Sequence, residues 1–277
     1  MTTPVIRPLD VPELATLLEW AADEGWNPGL ADAPAFLSAD PEGFLGCFID
    51  DEMVAGISAV RYGSDFGFIG LYITHPDFRE KGFGRRVWDA GMAHLAGRTI
   101  GLDGVPQQQS NYCAMGFEPV YETYRWSGRF QGSHSEDIIR VGEDLLPHIV
   151  AYDRRFFPAD RQTFLTEWLR PPRMAFAIRR NGAIAGYAVL RKCREGFKIG
   201  PLFAESSADA ESLLAACSAH ADDEMLHIDV PGAQQKFASF LESQRFTRGF
   251  VTSRMYRGAP PTVDDRGVFG ITTLELG

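Results

Sequence analysis

Cysteine is scarce in this sequence, four residues among 277, and the four lie far apart. That is too few for the disulfide framework of a small secreted module. Long apolar runs are missing as well; none reaches the roughly 18 residues needed to cross a bilayer. An excess of positive charge is also absent, since 27 Lys and Arg face 37 Asp and Glu for a net charge of −10. So acidic a chain is a poor general binder of nucleic acid or anionic membrane. The six His and four Cys show no ligand spacing, so no metal is implied. The opening Met-Thr-Thr-Pro-Val-Ile-Arg lacks a basic-then-apolar signal pattern, and a cytoplasmic location is the expectation.

What is there suits a globular protein. Apolar residues make up 45% and charged residues 23%, enough for a sizeable core. The charge is uneven. Residues 1–135 hold nine basic and eighteen acidic side chains, while residues 136–277 hold eighteen and nineteen. An acidic half could attract a cationic substrate, or serve solubility alone. The Gly-Ser stretch Gly128 to Ser135 marks a boundary, giving domains of 1–132 and 133–277.

The first half alternates strands and helices. Val5 to Leu9 reads as a strand, and Asp10 as the N-cap of an amphipathic helix through Glu24 carrying Val11, Leu14, Leu17, Leu18 and Ala21. Strands are predicted near Gly43 to Ile49, Met53 to Tyr62 and Gly67 to Thr74, with Asp50-Asp51-Glu52 as a turn. A helix from Gly84 to Ala96 and a strand from Thr99 to Leu102 follow. The second half repeats part of this order, including a hairpin turned by Asn181-Gly182. An internal echo points to duplication. Asp103-Gly-Val-Pro precedes a helix, then Gly116-Phe117 and Tyr124-Arg-Trp-Ser-Gly; Asp229-Val-Pro precedes a helix, then Arg245-Phe246 and Arg254-Met-Tyr-Arg-Gly.

The most informative stretch runs from Ile73 to Trp88. A strand ends, a loop with Gly82 and Gly84 follows, and a helix begins. Backbone N–H groups at a helix N-terminus suit a pyrophosphate, because both donors and dipole favour negative charge. Arg79, Lys81, Arg85 and Arg86 concentrate positive charge in an otherwise acidic half. No Gly-Lys-Ser/Thr follows, which excludes a Walker loop, and the third glycine of a dinucleotide loop is missing.

Arg79-x-x-Gly82-x-Gly84 resembles the Arg/Gln-x-x-Gly-x-Gly/Ala signature of the GCN5-related N-acetyltransferase (GNAT) superfamily. Tyr112-Cys-Ala-Met-Gly116-Phe117 is similar to its Tyr-x-x-x-Gly-Phe segment. Gly25-Trp-Asn-Pro-Gly29 and Asp103 to Tyr112 resemble a subgroup of bacterial tandem-GNAT proteins. The match covers residues 5 to about 128. It departs at Val105, where many members carry Asn.

The resemblance implies an α/β fold of two GNAT-like domains, each a mixed, mainly antiparallel twisted sheet flanked by helices. It implies that acetyl-CoA is the co-substrate. The splayed strand at Leu71, Tyr72 and Ile73 is expected to hold the pantetheine arm and polarise the thioester. Arg79, Glu80, Lys81, Gly82, Phe83, Gly84 and Arg85 are expected to hold the pyrophosphate, with Asn111 beside the cofactor. Tyr112 is expected to protonate the departing thiolate, and a phenol with a reference pKa near 10 carries that proton at neutral pH. The second half, whose equivalent loop from Ile199 to Ser207 lacks paired glycines and carries Glu205, is expected not to bind acetyl-CoA.

An alkylamine acceptor must lose a proton before it attacks. Asp103 is the leading base, although Asp before Gly is also a common turn residue. Asp65 is a weaker alternative, and attack without a dedicated base is a third. Trp26, Asn27, Tyr62 and Tyr124 could line an acceptor pocket, although Trp26 and Tyr124 also read as core rings. Cys113 has no convincing His partner and reads as an ordinary cysteine.

The expectation is therefore direct acetyl transfer to a small amine by a monomer, with no nucleic-acid or membrane partner. A different acyl-CoA, a non-catalytic acetyl-CoA sensor and aminoacyl transfer from tRNA are the alternatives. Charge disfavours the last of these.

Overall fold

Strand β1 (Val5–Pro8) leads into helix α1 (Val11–Asp23) in the computed structural model, which describes residues 3–132 and 137–277. Asp10 caps α1: its carboxylate accepts from the Glu13 N–H at 2.9 Å, and Glu13 Oε2 accepts from the Asp10 N–H at 3.0 Å. This reciprocal pair satisfies two donors that a helix start leaves without partners. Leu14, Leu17, Leu18 and Ala21 then bury one face of α1. Helix α2 (Asp32–Ala39) and an antiparallel meander of β2 (Phe44–Ile49), β3 (Glu52–Tyr62) and β4 (Phe66–Thr74) follow. Next come α3 (Phe83–His94), β5 (Thr99–Gly104), α4 (Gln109–Ala114) and β6 (Glu118–Gly128).

The second half repeats the plan. It contains β7 (Ile138–Arg140), α5 (Leu146–Asp153), α6 (Gln162–Trp168), β8 (Met174–Arg180), β9 (Ala183–Lys192) and β10 (Phe197–Ala204). It continues through α7 (Ser207–Ser218), β11 (Leu226–Pro231), α8 (Gln235–Ser243), β12 (Thr247–Arg257) and the short β13 (Val268–Gly270). Asn181 and Gly182 both have positive φ between β8 and β9, as the hairpin turn requires.

The two halves share one sheet, ordered β1-β2-β3-β4-β5-β12-β6-β11-β10-β9-β8-β7. Only β4–β5 and β10–β11 run parallel, so the sheet is mixed and mainly antiparallel. The long last strands are exchanged between halves. Strand β12 lies against β5 with Arg254 opposite Asp103, and β6 lies against β11 with Arg125 opposite Asp229. The exchange closes the edges that β5 and β11 would otherwise expose. A boundary at 132 and 133 therefore follows chain order but not the sheet, and residues 133–136 lie outside the described residues.

One face of the sheet carries a core that spans both halves, with Leu17, Phe36, Phe68, Trp168 and Tyr187 beneath α1, α2, α5 and α6. On the other face Trp88 of α3 clusters with Ile57 and Phe117, and Leu213 of α7 and Phe237 of α8 cluster with Ile228. The segment after β12 threads between these layers. Strand β13 pairs with β10 at Leu202 and Phe203, and the Ile271 N–H donates to the Asp229 carbonyl of β11 at 3.0 Å. The chain then crosses to β3, where Ser58 Oγ donates to the Glu275 carbonyl and Tyr62 Oη to the Leu276 carbonyl, each at 3.1 Å.

Candidate functional site

Strands β4 and β5 pair only from Phe66–Thr99 to Ile69–Leu102 and then part. Just past that point β4 bulges. Ser58 stands opposite Gly70 and Gly56 opposite Ile73, so Leu71 and Tyr72 share a single partner residue on β3. Leu71 has a φ of 47°, a left-handed backbone that leucine adopts only under constraint from its surroundings. The bulge takes backbone groups out of the ladder at the mouth of the gap.

A cavity of about 70 Å³ fills the base of the gap. Gly70, Leu71 and Tyr72 form one wall, Leu102 and Asp103 the other, and Tyr112 stands between them. Strand β12 adds Phe250 and Thr252, and the C-terminal segment adds Leu274 and Glu275. Above it opens a cleft of about 500 Å³ lined by Trp26, Tyr72, Thr74, Arg79 and Gln108. Tyr112 is buried, with its ring stacked on Trp88 at 5.6 Å. Burial pushes its phenol well above the ordinary tyrosine range, so it holds its proton firmly.

The loop from β4 to α3 begins with one 3₁₀ turn at Pro76–Phe78. Glu80 and Gly82 both take left-handed backbone, at φ 62° and 82°. Gly82 is then the N-cap of α3, and its carbonyl accepts from the Arg86 N–H. The N–H groups of Phe83, Gly84 and Arg85 precede that bond, so the helix itself has no carbonyl to offer them. Free N–H groups at a helix start are the kind of donors that suit an anion. Gly84 lies so close to β4 that a Cβ there would stand 2.7 Å from Thr74 Oγ1. Arg79 Nε donates to the Thr74 carbonyl at 3.2 Å, and its guanidinium pairs with Glu24. Lys81 reaches the Asp77 carbonyl at 2.8 Å, and Arg85 pairs with Asp89 at 2.8 Å. Asn111 is exposed on α4 and donates to Gln108 Oε1 at 2.8 Å.

Several sequence-derived assignments change here. Asp103 lines the cavity, but Arg254 binds both its oxygens, from Nε at 2.9 Å and Nη2 at 2.8 Å. Burial pushes this carboxyl up and Arg254 opposes it; the guanidinium stays charged. Each oxygen is engaged by the guanidinium, so Asp103 is half of a buried ion pair and not the free base expected from the sequence. Tyr62 lies in the core, edge-on to Phe157 at 4.7 Å, and anchors the C-terminal segment instead of lining the cleft. Tyr124 also lies elsewhere: it bonds to Glu122 under the Arg248 guanidinium and faces a separate depression toward α8. Asn27 is buried and exchanges two hydrogen bonds with the Glu195 backbone, so it fixes the loop. Trp26 does line the cleft, and its carbonyl accepts from Arg125 Nη1 at 3.0 Å and Lys198 Nζ at 3.1 Å.

Four groups had no local signature: Thr252, Phe250 and Glu275 in the cavity lining, and Arg254, the partner of Asp103. Three sit on an exchanged strand and one on a segment without periodicity. Only the echo of Asp103 in Asp229 hints at the pairing, because Arg125 and Arg254 hold the two aspartates alike.

The second half has no corresponding gap. Strand β13 occupies the space where β10 and β11 part. At the start of α7, Ser206 Oγ accepts from the Asp209 N–H, and Glu205 pairs with Arg155. One N–H of that helix start is thus already capped, and a carboxylate stands beside it. Among the described residues no group of His, Cys, Asp and Glu is placed to hold a metal, and no helix is long and apolar enough to cross a membrane.

Two family models match the chain. That of the acetyltransferase (GNAT) family covers residues 11–117, and that of the acetyltransferase (GNAT) domain covers residues 149–270. A Pseudoalteromonas protein named holothin acyltransferase is 31% identical over 98% of this chain and 94% of its own length. Among solved structures, a Pyrococcus horikoshii protein described as an acetyltransferase superposes with a TM-score of 0.85 at 20% identity, covering 100% of this chain and 97% of that one. A tandem GNAT protein from the clavulanic acid biosynthesis pathway gives a TM-score of 0.63 at 13% identity, covering 94% and 100%.

Proposed function

This chain belongs to the GNAT acetyltransferases and is an acyltransferase, and from that premise we propose that it moves an acetyl group from acetyl-CoA to a small amine. One observation carries the reading. The parted ends of β4 and β5 put the Leu71–Tyr72 bulge opposite Tyr112, over the anion-binding start of α3. The loop from Arg79 to Arg85 holds the pyrophosphate, with N–H groups of the helix start as donors. A backbone N–H at the bulge meets the thioester oxygen and stabilises the charge that grows there as the amine attacks. Collapse expels the CoA sulfur, and Tyr112 donates the phenolic proton that converts thiolate to thiol. The first half does this chemistry, and the second half, whose own gap is filled, completes the wall through β12 and the C-terminal segment.

The Pseudoalteromonas relative is named for acyl transfer to holothin. For this chain, a small acceptor rests on the cavity itself, since about 70 Å³ admits few heavy atoms. The protein acts as a monomer, because the exchanged strands already close the edges that a second copy would cover. Light scattering should give a mass near 30.7 kDa.

The test is CoA thiol release from acetyl-CoA with propylamine, 2-phenylethylamine and 1,4-diaminobutane. Tyr112→Phe should lower kcat by about 100-fold or more while acetyl-CoA still binds. Amine-independent binding without release in the wild type would instead favour a sensor. Faster release from a longer acyl-CoA would reassign the donor.

A further inference from the structure

Glu275 is 1% exposed, and neither of its carboxylate oxygens has a hydrogen-bond partner among the described residues. A buried carboxylate left this way costs several kcal/mol on the order-of-magnitude scale of such transfers. Native proteins seldom tolerate it without a ligand or a function. Glu275 lines the 70 Å³ cavity, together with the Leu71–Tyr72 bulge and Tyr112. Thr252 Oγ1 lies in the same lining and is also buried without a partner.

Most of the neighbouring charges are committed elsewhere. On β5 and β12, Asp103 and Arg254 hold each other. On β6 and β11, Arg125 holds Asp229 with two bonds of 2.8 and 3.0 Å. Lys198 on β10 donates to the Trp26 carbonyl and lies 3.8 Å from Asp229. Arg191 on β9 donates through Nη1 to the Thr272 carbonyl and lies 3.5 Å from Asp32, while its Nε and Nη2 make no hydrogen bond among the described residues. Arg125, Lys198 and Arg191 feel the charge of Glu275, yet none forms an ion pair with it. From β3, Ser58 binds the Glu275 backbone carbonyl and leaves its carboxylate alone.

We propose that Glu275 receives the acceptor as an ammonium ion, with Thr252 as a second hydrogen-bond partner, and that the acceptor is a primary alkylamine. The assignment rests on the acyl-transfer reading above. Glu275 takes one proton from the ammonium and frees the nitrogen lone pair. The nitrogen forms a bond to the thioester carbon, and the carbon–sulfur bond breaks. Of the two protons that the nitrogen gives up, one leaves Glu275 for water. The other replaces the proton Tyr112 donates to the CoA sulfur. Ammonium and acyl-CoA thus yield amide, CoA thiol and one released proton.

Glu275→Gln keeps the size and removes the charge. Acetyl-CoA affinity and thermal midpoint, measured first, should match the wild type. At pH 7 the kcat/KM for propylamine should fall at least 100-fold. The deficit should shrink as pH rises toward the pKa of the amine, because solution then supplies the neutral form. Thr252→Val should raise the KM for propylamine by about tenfold and leave acetyl-CoA affinity unchanged. A Glu275→Gln enzyme within threefold of wild type at pH 7 would overturn the assignment. So would an equal loss at every pH, which would mark a structural role only. Wild-type turnover with none of propylamine, 2-phenylethylamine and 1,4-diaminobutane would overturn the alkylamine class. Failure of acetyl-CoA to bind the wild type is a different result, because it removes the acyl-transfer reading itself.

Discussion

Tyr112 owes its suitability to its surroundings. Stacked on Trp88 and shut away from water, its phenol is pushed above the ordinary tyrosine range by burial. In the acyl transfer proposed above, the proton for the leaving sulfur is therefore present well past neutrality. The alkaline limb of the kcat profile should show no fall attributable to Tyr112 up to about pH 10, the reference value for a free phenol. A drop between pH 8 and 9 that disappears in Tyr112→Phe would contradict this. His227 behaves in the opposite sense. Burial first, and then the nearby Arg125 and Lys198, push it down to about 4. Between pH 6.5 and 4 the unfolded chain takes up a proton that the folded protein refuses. Its contribution is whole above 6.5 and is lost as pH falls to 4, about 3 kcal/mol in all. Urea unfolding across pH 4–7 should show this slope, and His227→Gln should flatten it by that amount. An unchanged slope would place the effect elsewhere.

At the scale of elements, what the sequence disclosed was what is local. The cap at Asp10, the Asn181-Gly182 turn, the strand before the loop and the helix after Gly82 each depend on a few adjacent residues. Tyr112 and Trp26 were placed near the gap by motifs of the same short reach. Tyr62 and Tyr124 were misjudged because an aromatic ring carries no sign of which face of a strand it occupies until register is known. The C-terminal segment was invisible for another reason. Ile271 to Leu276 has neither helical nor strand periodicity, and it is held by side chains of β3 more than 200 residues earlier. Its docking is tight at Gly70, where any Cβ would overlap the Glu275 backbone. Gly70→Ala should therefore cost about 1–3 kcal/mol of stability. It should also raise the KM for propylamine, because it displaces the segment that carries Glu275. Urea midpoints and thiol release report the two effects separately. A destabilised Gly70→Ala with unchanged KM would unlink the segment from the acceptor.

At the scale of the whole molecule, the exchange of β6 and β12 joins the halves into one cooperative unit. Each half lacks the strand that completes its own sheet and holds the one that completes the other. Calorimetry should therefore show a single transition, with equal calorimetric and van't Hoff enthalpies. Residues 1–132 expressed alone should be aggregation-prone through the open edge of β5. Two resolved transitions, or a soluble folded N-terminal half, would refute this. It also gives the second half a place at the gap: Thr252 and Glu275 line the cavity and Arg254 holds Asp103.

The exchange sets an order of events during synthesis. Strand β5 ends at Gly104, and its neighbour β12 begins at Thr247. At about 5–20 residues per second, a ribosome needs roughly 7–30 s to go from one to the other. For that interval the nascent chain carries a strand whose permanent neighbour has not yet been translated. Chaperones that shield exposed edges, or a pause that spaces the emerging segments, bear on this protein before its active site exists. Its yield in a cell is set by how safely it waits as much as by how stable it becomes.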